Sequence, residues 1–182
     1  MKQRHATWFL GILLLLVTGG TVAAAQTGFG GHNGKDPIQF AADRLDVRKE
    51  GRVATFSGNV EANQGDLNLI ANEVRVYYTG GSEDEAGLGG AVSRIDTRGN
   101  VKLSSRGDTA NAVWAVYDIE RQLVTLGGNV VLTQGETQLR GDRVELDLDT
   151  GQSRVVGVEG VGGDSRVRGE FTPKRKTDEP AQ

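Results

Sequence analysis

Apolar and polar residues alternate along most of this chain. Val60 and Ala62, Leu67 and Leu69, Val74 and Val76, Val101 and Leu103, then Val144, Leu146 and Leu148 are each separated by a single polar residue. A period of two is that of a β-strand, whose successive side chains leave on opposite faces. Glu73 and Arg75 flank Val74, and Glu145 and Asp147 flank Leu146, so each predicted strand has one dry and one solvated face. Between the runs stand NQGD, SRGD, TQGE and DTGQ, rich in the residues that tight turns use. No segment keeps a three-four spacing with caps, and the 27 glycines disfavour long helices. The pattern predicts an all-β body of strands joined by short turns, which closes as a sandwich, jelly roll or barrel. Its longest interruption, TGGSEDEAGLGG over residues 79–90, reads as an exposed loop.

The pattern also repeats. FSGNVEANQG at residues 56–65 returns as LGGNVVLTQG at 126–135, and LNLIANEVRVYY (67–78) and TQLRGDRVELDL (137–148) follow in the same register. A third GNV lies at 99–101, and VEGVGG at 158–163 is a worn fourth copy. A small strand unit is therefore used several times, as in repeat architectures.

The ends of the chain differ from the body. Lys2 and Arg4, an uncharged apolar run from Trp8 to Val17, and Ala23 and Ala25 in A-x-A spacing read as a secretory signal peptide, residues 1–25. A retained anchor is the rival reading, but the second half of the run is Gly, Thr and Ala rather than Leu or Ile. Residues 26–35 (QTGFGGHNGK) read as a Gly-rich linker, 36–171 as the folded domain, and 172–182 (TPKRKTDEPAQ) as a disordered charged tail. The absence of cysteine excludes a disulfide framework and a lipidated N-terminal cysteine. A net charge of −3 gives no basic footprint for nucleic acid.

The chemistry of enzymes is scarce here. The histidines are His5 and His32, outside the predicted domain, so a Ser-His-Asp triad in its core is excluded. There is no thiol and no His/Cys spacing for zinc. DLDTG (147–151) could suggest a calcium loop or a glycosidase pair; Asp147 on a solvated strand face and Asp149 opening the turn at Gly151 is the better reading. The sequence assigns no catalytic residue, metal or cofactor, and points to binding or scaffolding.

DPIQFAADRLDV, VATFSGNVEANQGDLNLIANEVRV and AVYDIERQLVTLGGNVVLTQGETQLRGDRVELDLDTGQ closely resemble the LptA/OstA-like lipopolysaccharide-transport proteins, over essentially all of residues 36–171. The resemblance implies an open β-jelly roll, a twisted V of antiparallel strands. It implies a periplasmic carrier of lipopolysaccharide, shielding lipid A between an LptC-like inner-membrane protein and an LptD-like outer-membrane protein. Physical need agrees: acyl chains cost about 0.8 kcal/mol per exposed methylene, on the order of 10 kcal/mol for a dozen. Matching PIQF to the family's opening strand puts Ile38 and Phe40 inside the groove; AVYD puts Tyr117 inside with Ile119 two residues on, and SRID adds Ile95. Alternation adds Phe56, Val76, Leu126, Leu132 and Leu146.

The resemblance further implies head-to-tail homo-oligomers joined at strand edges, here around Ile38 and Phe40 at one end and Val155, Val156 and Val158 at the other. The acidic stretch at 79–90 and the Gly-rich GVEGVGG depart from the pattern near those contacts. The competing readings are a membrane-anchored LptC-like protein and a structural or glycan-binding envelope protein. A glycan module needs exposed aromatics, and the sequence offers only Tyr78 and Trp114 as outward rings.

Overall fold

The computed structural model describes residues 28–80, 90–157 and 166–171. The predicted leader and tail, residues 81–89 of the acidic loop, Val158 and the worn fourth repeat lie outside the described residues. The regular structure described is entirely strand. Six long strands form an antiparallel meander: β3 (Val53–Gln64), β4 (Leu67–Thr79), β5 (Ala91–Ser105), β6 (Asp108–Asp118), β7 (Leu123–Gln134) and β8 (Thr137–Asp147). Each end of the sheet carries two short strands rather than one. β1 (Gln39–Ala41) and β2 (Arg44–Arg48) pair with successive stretches of β3, and β9 (Ser153–Val156) and β10 (Arg168–Glu170) share β8 in the same way. The predicted break at 79–90 starts later than the sequence suggests, because Thr79 still pairs with Ala91.

The recurring GNV explains the divided edges. Gly58–Asn59, Gly99–Asn100 and Gly128–Asn129 sit in mid-strand with φ of 80 and 44, 76 and 49, and 83 and 52°. This left-handed region is open to glycine and, among other residues, tolerated best by Asn and Asp. At each pair two residues face one on the neighbouring strand: Asn72, Val113 or Asp142. Such bulges bend and twist a strand, and here they stand side by side across β3 to β8, so the whole sheet turns one corner. Asn59 Nδ2 donates to Asp43 at 2.9 Å and Asn100 Nδ2 to Asn72 Oδ1 at 3.3 Å, stitching the corner from strand to strand.

The bulge also sets which residues point inward. The two residues of each bulge leave the alternation of β3, β5 and β7 intact: Phe56 and Val60, Thr97 and Val101, Leu126 and Val130 share the inner face. The single opposing residue shifts β4, β6 and β8 by one, so Ala71 and Val74, Ala112 and Ala115, Gly141 and Val144 line up instead. The corner folds the sheet into two facing halves whose inner side chains merge into one buried cluster. This is the open jelly roll the resemblance implies.

One expectation needs correction. Residues 28–35, read as linker from their glycines, are packed against the domain: Phe29 is 1% exposed and belongs to the core cluster. Composition hid a single aromatic anchor among small residues.

Candidate lipid-binding groove

The inner faces of the two half-sheets line a cavity of about 40 Å³. Ile38, Ala62, Leu67, Leu69 and Leu103 face it from one half, and Ile95, Thr97, Ala115, Tyr117 and Val124 from the other. The wall is almost wholly apolar because its polar groups are answered locally. Thr97 Oγ1 accepts from the Ala115 N–H at 3.1 Å and donates to the Ala115 carbonyl at 3.3 Å, so a buried threonine presents its methyl group. Gln64, 4% exposed, donates to the carbonyls of Gly34 and Asp36 at 3.0 and 2.9 Å.

Tyr117 is the exception. It is 8% exposed and lines the cavity, and its hydroxyl has no hydrogen-bond partner among the described residues. Burial alone pushes its ionisation up to about 12. His32 approaches its ring edge-on, with centroids 6.5 Å apart.

All ten residues expected in the groove belong to the interior, in different ways. Ile38, Ile95 and Tyr117 line the cavity. Val76, Leu126, Leu132 and Leu146 are fully buried and pack the cluster around it. Phe40, Phe56 and Ile119 are half-buried against the cluster. Phe40 of β1 and Phe56 of β3 stack at 4.7 Å and 14°, joining the two halves at one end of the groove. Ala62, Leu67, Leu69, Thr97, Leu103, Ala115 and Val124 also line the cavity and were not among the ten, although Thr97 follows from Ile95 by alternation and the others by alternation or cross-strand pairing.

The apolar strip continues beyond the covered core at both ends. Leu45 and Val47 of β2 pair with Phe56 and Ala54, yet are 47% and 40% exposed. At the other end Val155 pairs with the buried Val144, and Phe171, beside Gly169 and Leu139, is 69% exposed. Of the edge residues expected from sequence, Phe40 lies in β1, Ile38 one residue before it, and Val155 and Val156 in β9; Val158 lies outside the described residues.

Among the described residues the outer face carries two rings: Tyr77, which alternates with Arg75 and has the Arg94 guanidinium 6.0 Å from its centroid, and Trp114. Tyr78, expected outward, shares the alternation of Val74 and Val76 and packs against the core, where burial raises its pKa. Trp114 does face outward, but it lies across β7 on Gly127, with the Arg143 guanidinium 5.9 Å from its ring centroid. The acid-rich turn is structural as well. The Asp147 carboxylate, rather than Asp149, accepts from the Asp149 and Thr150 N–H groups at 3.1 and 2.8 Å, and these bonds hold its pKa below the usual range. Among the described residues no group of His, Cys, Asp and Glu is placed to hold a metal.

Comparison with known proteins places this groove in context. Residues 39–153 match the family described as LptA/(LptD N-terminal domain) LPS transport protein. An uncharacterized protein of Rhizobium meliloti (strain 1021) is 30% identical over 143 residues, 78% of this chain and 74% of its own length. The lipopolysaccharide export system protein LptA of Escherichia coli (strain K12) is 27% identical over 108 residues, 59% of this chain and 58% of that protein. In three dimensions the chain is similar to LptH of Pseudomonas aeruginosa, described as the LptA-homologous periplasmic component of the lipopolysaccharide transport device. The TM-score is 0.64 at 16% identity, covering 76% of this chain and 96% of LptH, a likeness of fold.

Proposed function

We propose that this chain, which belongs to the LptA/LptD N-terminal family of LPS transport proteins, is a periplasmic carrier that shelters the acyl chains of lipid A between its two half-sheets. The observation that carries the reading is the apolar strip, continuous through the core and emerging uncovered at Leu45 and Val47 on one end and Phe171 on the other. A sealed core would end in polar residues at both edges. A strip that emerges at each end suits cargo passing from one molecule to the next.

The same edges support assembly. β1 and β2 at one end, and β9 and β10 at the other, are the last strands of the described sheet and leave backbone groups for an added strand. Head-to-tail addition does not close on itself, so copies can extend into a bridge, with an LptC-like protein at the inner membrane and an LptD-like protein at the outer. Nothing in this role requires catalysis.

The test is capture of lipopolysaccharide by the purified protein. Ile95→Asp puts a charge on the cavity wall and is expected to abolish capture, whereas Arg75→Asp on the outer face leaves it intact. Equal capture by both folded variants refutes a lipid site between the half-sheets.

A further inference from the structure

Residues 28–36 lie across the opening between the two half-sheets and are bonded to both rims. From the rim formed by the ends of β3 and β5, Gln64 donates to the Gly34 and Asp36 carbonyls, and Arg106 donates to the Gly30 and Gly31 carbonyls at 2.8 and 3.4 Å. Arg106 is itself held by Asp66 at 2.9 Å. From the opposite rim, beyond β8, the Leu148 carbonyl accepts from the His32 N–H at 3.1 Å and the Asp149 carbonyl from the Gly31 N–H at 3.3 Å. Gly28, Phe29 and Gly30 are all buried, and the Phe29 ring, 1% exposed, is seated in the same cluster as the groove residues.

Resting on the lipid-carrier reading above, we infer that residues 28–36 are a displaceable strap, and that the Phe29 side chain and an acyl chain compete for one apolar seat. Phe29 shares the buried cluster with the cavity residues Tyr117 and Val124 without itself bordering the cavity. With the strap seated, the space between the halves is about 40 Å³, whereas an apolar cavity of about 150 Å³ holds a single benzene. An acyl chain therefore enters only if the strap leaves or the halves part, and the strap is the weaker element. No residue of it is in a strand, Phe29 is its one side chain in the core cluster while His32 meets Tyr117 edge-on and Gln64 Oε1 at 3.0 Å, and Gly28, Gly30, Gly31 and Gly34 make its ordering entropically costly. An acyl chain of about a dozen methylenes offers several times the apolar burial of one phenyl ring, so it prevails in the exchange. Release also uncovers the Gln64 amide beside the cavity, where it can meet the polar ester and hydroxyl atoms of such a lipid.

Hydrogen exchange of the full chain, with and without vesicles containing lipid A, tests this directly. The Gly31 and His32 amides are expected to lose protection when vesicles are added while amides in β5 to β7 keep theirs. Phe29→Ala, which removes the competing ring, is expected to bind the same vesicles about tenfold more tightly or better, the factor set by losing one buried Phe. Arg106→Gln, which loosens the strap without touching the core, should strengthen binding in the same direction. Vesicle binding with the Gly31 and His32 amides still protected, or weaker binding by both variants, overturns the strap while leaving the groove standing. Failure of wild type and variants alike to bind overturns the groove reading and the strap with it.

Discussion

Replacing Gly99 by alanine tests the corner that shapes the groove. Gly99 has φ of 76°, and an added Cβ would lie 2.6 Å from Asn72 Nδ2 and 3.0 Å from Asn72 Cβ. Gly107, in the β5–β6 turn, has φ of 93° and nothing within 4 Å of an added Cβ. Both substitutions force an L-residue into the left-handed region, at about 1–2 kcal/mol. Gly99→Ala must in addition displace Asn72, which accepts the 3.3 Å bond from Asn100; the lost bond is worth about 1 kcal/mol and the crowding about 1 kcal/mol more. The expected costs are roughly 3–4 kcal/mol at Gly99 and 1–2 kcal/mol at Gly107. In equilibrium urea unfolding, with a slope of about 1–3 kcal/mol/M, that gap separates the two midpoints by on the order of 1 M. Equal midpoints would mean that the corner does not require a bare α-carbon there, and the account of the GNV repeat would fail.

Leu126→Ala removes a side chain with no exposed surface and should cost about 2–5 kcal/mol in the same experiment. Tyr117→Phe deletes a hydroxyl that has no partner among the described residues, so the variant should be at least as stable as wild type; a loss above about 1 kcal/mol would reveal a bond to that hydroxyl. In an alkaline absorbance titration, one tyrosine should ionise only near 12, and Tyr117→Phe should remove that step. The Asp147 carboxylate has a depressed pKa in the folded chain, so its support of the 147–151 turn is fully present above the ordinary carboxylate pKa and is lost as pH falls through the lowered value. Exchange protection of the Thr150 amide should follow that course, and loss of protection beginning at neutral pH would contradict it.

The period of two made the strands and their inner faces legible, and the turn quartets marked most strand ends. The corner was visible as a repeat but not as a bulge. Gly58–Asn59 and its counterparts preserve alternation on their own strands, so the bend appears only when Asn72, Val113 and Asp142 are found opposite them. For the same reason the division of each sheet edge into two short strands left no mark in the sequence pattern. Phe29 was lost among glycines, because composition reports how little a segment can bury and not where one ring is seated. The inner face was legible: the ten residues expected there lie in the interior, but which of them border open space depends on how closely the halves approach. That distance is set by tertiary packing and by the strap, neither of which has a signature along the chain.

The expected path of lipid A lies between the half-sheets. It is tested most directly by photocrosslinking in cells, with a light-activated residue at Tyr117 on the cavity wall and, separately, at Arg75 on the outer face. Adducts with lipopolysaccharide at Tyr117 and none at Arg75 are the predicted result. Adducts at Arg75 alone, or at neither position in folded, exported protein, would contradict it.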